Sequence, residues 1–453
     1  TSFGSYEIAM IRLVFSLLVA LCAVRDVRGA VIATGDHNLS DDVLEAGLNH
    51  GVWVLKEGLA VGGAGNGSLD VTDGSRVELR RVCGMYSCQL PSTTIGRDPG
   101  VRGVLNVADP ISSLTSVGNL RVGFYGEGLL NVRNGSTVSH EYGYFGEDTG
   151  SSGLVVVDGV NTSLVNRLWL YVGVDGSGEL RVLNGATASS NTIYLGMNYD
   201  SYGEMVVSGA GSLVNTTAVH VGHDGDGSLT ISDGGVVSST TGKVGVGHHS
   251  TGEVVVSGAN SAWQSTGDFF RINPLGSVSV HSGGRFETGD VTVYGAVTID
   301  GGDSTWKNSK NVLIKIDGKF NMLDGTNVDI GGTLMIEHAQ RYDGLGIGLF
   351  PGGLNRPIVP PNDEDIETVF GTLQLEDSVL NTRGLWARPE SLQGTGVINT
   401  STLLGDHDLN FDAVHGSTHQ IVYNSEPGQH ITVNIDASDP HNPGPLGVGY
   451  EGH

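Results

Sequence analysis

A glycine, then apolar residues at alternate positions, then a second glycine six or seven places on: this pattern recurs through the chain and limits what it can fold into. It appears as GLLNVRNG from Gly128, GLVVVDG from Gly153, GELRVLNG from Gly178, GEMVVSG from Gly203, GSLTISDG from Gly227, GEVVVSG from Gly252 and GSVSVHSG from Gly276. The first glycines step by 25, 25, 25, 24, 25 and 24 residues, and copies from Gly295 and Gly318 follow after 19 and 23. An earlier copy, GSLDVTDG from Gly67, stands apart, across an irregular insert that carries Cys83 and Cys88. Spacing between the paired glycines alternates seven, six, seven, six, so the larger unit is a pair of coils. Copies of the six class are followed by VNTSLVN, AGSLVN, ANSAWQ or GDSTWK.

Each period holds about three short segments of period-two alternation divided by glycine turns, with no helical periodicity. A repeat of roughly 25 residues is too short for a domain and too long for one hairpin, but it suits one turn of a β-solenoid. The expected fold is all-β, a right-handed parallel β-helix with coils paired into units of about 50. Ten to twelve coils at the ~4.8 Å strand spacing would make a rod roughly 50 to 60 Å long. A β-propeller, whose blades match the paired length, is the rival architecture. Composition agrees with the solenoid: 71 glycines without a collagen triplet, and enough Val, Leu and Ile to exclude disorder.

The expected organisation is a signal region over 1–30, an N-terminal cap and first irregular coils with an insert over 31–127, regular coils over 128–338, and less regular coils over 339–453. Arg12, the apolar run Leu13 to Val24, and small residues at Gly29 and Ala30 form a secretory pattern, too short to span a bilayer. Met10 reads as the start, and the VALC run ending at Cys22 departs from a lipobox because Leu21 is bulky. The ending LGVGYEGH opens a new repeat and stops, which reads as a truncated chain. With Cys22 gone, Cys83 and Cys88 either pair in an oxidising compartment or remain free thiols.

A net charge of −25 without a basic cluster argues against nucleic acid or an anionic membrane as partner. The double-coil segments LYVGVDGSGELRVLNGATASSNTIYLG and GEVVVSGANSAWQS resemble the glycine-rich repeats of bacterial autotransporter-type passenger regions and PEP-CTERM-associated repeat proteins. That resemblance covers about 59–337, with looser echoes at GTLQLEDSVLNTRG and LQGTGVINTSTL. It implies a secreted β-helix at the cell surface and transfers no catalytic residue.

Candidate chemistry is sparse. Aligning Gly146, Gly173, Gly196, Gly222 and Gly247 places Glu147, Val174, Met197, His223 and His248 in one column, and Asp148, Asp175, Asn198, Asp224 and His249 in the next. On that register His223, Asp224, His248 and His249 could hold a transition metal, and Asp148 over Asp175 a cation such as calcium; a solvated polar turn is the plainer alternative. An EF-hand read from Asp224 fails at its glycine and glutamate positions, and the RTX nonapeptide fits only once, at Gly62. A second polar cluster comprises Asp406, His407, Asp408, Asp412, His415 and His419. Trp263, Trp306 and Trp386 could stack on sugars, although the shared rung position of the first two suggests packing. Pro351 to Glu367 reads as an exposed acidic loop.

These features lead us to expect a non-enzymatic structural or adhesive rod. It would be extracellular or on the cell surface, contacting a polysaccharide, a surface protein or another copy end to end or laterally. A polysaccharide lyase or hydrolase on the same scaffold is the competing class.

Overall fold

A computed structural model describes residues 30–35, 52–56, 58–83, 88–342, 346–348, 366–405, 418–423, 428–436 and 447–448. The signal pattern apart from Ala30, and all but His419 of the Asp406 to His419 cluster, lie outside them, as does nearly all of the proline-rich acidic loop; His419 falls in the strand Thr418–Tyr423. Among the described residues there is no α-helix, and the expected fold is present: parallel strands stacked about 25 residues apart in a β-solenoid of about 11 turns. No helix here is long and apolar enough to cross a membrane.

One coil consists of Glu127–Arg133, Thr137–His140 and Tyr142–Phe145. The next consists of Ser152–Asp158, Ser163–Asn166 and Trp169–Val172, each strand lying parallel on its counterpart. The solenoid therefore has three faces, called here first, second and third. The repeat glycines stack in register on the first face, Gly128 beside Gly153, then Gly178, Gly203, Gly227, Gly252 and Gly276. Alternation sends one side chain in and the next out, so Val155, Val157, Leu180, Val182, Met205 and Val207 form continuous buried columns. Each such residue contributes roughly 1.5–3 kcal/mol by leaving water.

The corner between third and first faces explains the glycines. Gly146 has φ +66°, and a Cβ there would stand 2.1 Å from the Ser177 carbonyl oxygen; a Cβ on Gly153 would stand 2.0 Å from that of Val122. Backbones approach too closely for any side chain.

The corner between first and second faces explains why coils come in pairs. Coils of the seven class turn through two left-handed residues, as at Asn134 (φ 55°) and Gly135 (φ 84°), which Asn or Asp followed by glycine adopts readily. Coils of the six class turn through separated left-handed residues, as at Gly159 and Asn161. A buried hydroxyl in each six-class coil accepts the turn glycine's N–H from the seven-class coil before it. The bonds are Gly135 to Thr162 (2.9 Å), Gly185 to Ser212 (3.0 Å), Gly234 to Ser261 (2.9 Å) and Gly283 to Ser304 (3.1 Å).

This pairing reveals a coil that the glycine pattern did not disclose. Arg102–Val107, Ser113–Ser116 and Asn119–Val122 form a complete turn between the Gly67 and Gly128 copies, with Gly103 registered on both. It belongs to the six class, since the Ser112 hydroxyl accepts from Gly74 N–H at 2.9 Å. The insert is correspondingly shorter than the sequence suggested. Asp109 (φ 78°) and Ile111 (φ 67°) occupy the left-handed positions held by Gly159 and Asn161 in the copy from Gly153, which hid the match.

The second-to-third corner carries a buried polar column: Ser116, His140, Asn166, Ser190, Thr216, Ser239, Ser265, Thr288 and Asn308. Its hydroxyls donate to corner carbonyls, as Ser190 does to Leu168 (2.9 Å) and Thr216 to Asn191 (3.1 Å). At this bend side-chain donors supplement the backbone: the Leu168 carbonyl also accepts from Asn191 N–H (2.9 Å).

Both ends carry antiparallel strands. Ala30–Gly35 pairs with Gly67–Thr72 on the first face, and Thr418–Tyr423 pairs with His430–Asp436 on the second. The echoes of the repeat are coils of the same solenoid, Thr372–Trp386 and Leu392–Gly405 pairing in parallel across all three faces. A three-stranded antiparallel sheet, His338–Tyr342, Gly346–Gly348 and Ile366–Phe370, interrupts the winding before them.

Candidate binding surfaces

Outward positions on the third face stack into a column running Arg121, Tyr144, Tyr171, Tyr194, His220, Lys243, Arg271 and Thr292. No carboxylate occurs in it, although the chain's charge is −25. Its tyrosine rings stack at 5.2 Å and 5.1 Å with planes 18° and 13° apart, and His220 meets Tyr194 at 4.8 Å. Trp169, 45% exposed, stands edge-on to Tyr142 (6.1 Å) and Tyr171 (6.3 Å). Crowding of the rings pushes the Tyr171 hydroxyl up to about 12, burial acting first and the neighbouring phenols second. Burial, with Lys243 and His223 beside it, lowers His220 to about 4, so its ring is neutral at pH 7. The sequence signal for this ribbon was aromatics at the outward position of YF, LYV and IYL on successive rungs, which read simply as good strand formers.

The metal candidates fall differently from the expected register. Val221 pairs with Val244, so Gly245, not Gly247, follows Gly222 in the corner column, and Val246 N–H takes the bond to the Gly222 carbonyl (2.7 Å) that His223 makes to Gly196 (2.9 Å). The segment KVGVG offers two glycines, and burial of Val244 selects the first. Val246 and Gly247 therefore hold the rung positions equivalent to His223 and Asp224, with His248 and His249 exposed further along. His223 instead stacks on His220 at 5.6 Å and lies 3.3 Å from Asp224. No group of three or more His, Cys, Asp or Glu able to hold a metal ion occurs among the described residues. The expected Asp148 and Asp175 pair is met by hydrogen bonds: Asp148 accepts from Thr149 N–H (2.8 Å), and Asp175 from the Asn198 carboxamide (2.8 Å).

Trp263 and Trp306 are fully buried, packed with Phe270, Phe286 and Phe320. Their indole N–H groups donate to the polar column, at Ser239 (3.1 Å) and Thr288 (2.8 Å). Trp386 is 36% exposed. Cys83 is disulfide-bonded and stands directly across a short antiparallel pairing from Cys88.

Two grooves remain. Glu127 and Glu179, two rungs apart, line one of about 230 Å³ together with Arg102. Each carboxylate is engaged by a guanidinium, Glu127 by Arg102 at 3.2 Å and Glu179 by Arg181. The other, of about 490 Å³, lies along the second face of the C-terminal coils, lined by carboxamides, hydroxyls, Asp329 and Arg383.

Comparison with models of known protein families and with curated proteins finds no match.

Proposed function

We propose that the chain is a secreted or cell-surface structural rod of the adhesive kind, touching its partner through the third face. The observation carrying this reading is the aromatic ribbon: rings recur at the same outward position on consecutive rungs, where the solenoid requires no aromatic. Tyr and Trp give large contact area at small entropic cost, and repetition turns weak contacts into multivalent ones. An extracellular polysaccharide, a surface protein or a second copy would all use such a face. The disulfide at Cys83 fits an oxidising compartment, as does the secretory pattern near the start. The acidic charge fits neither nucleic acid nor an anionic membrane.

Retention of the full chain on insoluble polysaccharides and on cell surfaces tests the reading. The double variant Trp169→Ala, Tyr171→Ala should lose about tenfold in retention, with an unchanged far-ultraviolet spectrum. Equal retention of the variant overturns the ribbon. The enzyme reading has its best location at Glu127 and Glu179, about two rungs or roughly 10 Å apart. Polysaccharide turnover abolished by Glu127→Gln would replace the adhesive reading.

A further inference from the structure

We infer that the groove on the second face of the C-terminal coils is a discrete binding site for a neutral saccharide, separate from the aromatic ribbon. Its floor is a ladder of carboxamides. Asn434 donates to Asn399 (2.9 Å), Asn399 donates to Asn381 (2.8 Å), and Asn381 donates to Asp329 (2.9 Å) and Asn327 (3.1 Å). These residues register on consecutive rungs, Asp329 beside Asn381, Asn381 beside Asn399 and Asn399 beside Asn434.

Counting donors and acceptors identifies the ligand class. A carboxamide has two N–H groups and two oxygen lone pairs. Within the ladder Asn399 uses one of each, leaving one donor and one acceptor for an occupant; Asn381 uses both N–H groups and keeps one lone pair. The bonds from Asn434 through Asn399 and Asn381 run in one direction to the Asp329 carboxylate, and an anion at the end of such a chain polarises each amide so that its oxygen accepts more strongly. Hydroxyls match this surface because each both donates and accepts, and neighbouring hydroxyls on a pyranose do so side by side. Ser401 adds a hydroxyl at the edge and Arg383, exposed beside the ladder, adds charged donors. Rungs repeat every ~4.8 Å, a distance close to the advance of one sugar in an extended, equatorially linked chain. The volume suits one or two rings.

Another carboxamide ladder gives the contrast. Asn131 donates to Asn106 (2.8 Å) and Asn106 to Asp70 (2.6 Å) on the first face. Neither described groove is lined by it, so the C-terminal site combines the ladder with a concave wall.

The test is calorimetric titration of the full chain with three neutral oligomers, cellohexaose, xylohexaose and chitohexaose, and with hexagalacturonate as the charged control. At least one neutral oligomer should bind, and Arg383→Ala and Asn399→Leu should each weaken it about tenfold, while Trp169→Ala should leave it unchanged. Arg383 is exposed, so its variant keeps the test valid if Asn399→Leu fails to fold. Three results overturn the site: no binding of any of the three; binding lost with Trp169→Ala but retained in both groove variants; or binding only of a uronic-acid oligomer, lost with Arg383→Ala and kept with Asn399→Leu. The second would remove the groove and leave the adhesive ribbon standing.

Discussion

Two stacked columns in this rod invert the usual arrangement. Ser116 to Asn308 is polar and lies inside the second-to-third corner, while Tyr144, Tyr171 and Tyr194 are aromatic and lie outside on the third face. The inner column serves the fold: its side chains are buried at the bend, where each polar atom needs a partner and several donate to corner carbonyls. The outer column answers no such demand, because any polar residue would serve at a half-exposed strand position. Inner substitutions should therefore act on stability and outer ones on recognition.

The largest expected effect concerns His140 in the inner column. Burial, with Arg167's charge adding and Asn166 opposing, lowers it from the usual 6.5 to about 3. Between those values the unfolded chain takes a proton that the folded one refuses, so stability is fully present above about pH 6.5 and falls as pH drops towards 3. The slope is ~1.4 kcal/mol per pH unit, and the whole window is worth on the order of 5 kcal/mol. Urea unfolding of the chain and of His140→Asn across this range checks it: the variant should lose the slope. His220, lowered to about 4 on the outer column, has the same sign over a shorter pH range, so its replacement should remove less of the total pH dependence. An equal change from the two histidines would break the contrast.

Next comes Thr288, whose hydroxyl accepts from Trp306 Nε1 (2.8 Å) and Asn308 Nδ2 (3.0 Å). Thr288→Val strands two buried donors and should cost about 2–3 kcal/mol in urea unfolding. Smallest is Trp169→Ala, which should change stability by no more than about 0.5 kcal/mol in the same assay while it weakens adhesion.

Much of the fold was legible because alternation and glycine spacing are direct imprints of strand geometry and crowded corners. The coil from Gly103 was not, because Asp109 and Ile111 adopt backbone conformations usually left to glycine or asparagine, and a pattern built on glycine passes over them. The corner register at Gly245 was ambiguous for a related reason: two glycines two residues apart are distinguished only by which valine is buried. Of the binding surfaces less was visible. Outward aromatics look like strand propensity until neighbouring rungs are aligned, and the C-terminal groove joins residues from four rungs, with Asp329 and Asn434 more than one hundred positions apart.

The hydroxyl that each six-class coil lends to its predecessor gives the rod a parity. Removing or duplicating one coil would set like turns against each other, leaving a glycine N–H facing no hydroxyl where two seven-class coils meet, or a hydroxyl without its glycine where two six-class coils meet. Removing or duplicating two coils restores both bonds. Alternation persists from the Gly67 copy to the Gly318 copy, across the insert; beyond it the Gly325 N–H donates to the Glu376 carbonyl (3.1 Å) instead of to a hydroxyl. Length in such a molecule is a quantity that changes in steps of two rungs, roughly 10 Å at a time, and the reach of whatever it presents is set by counting pairs.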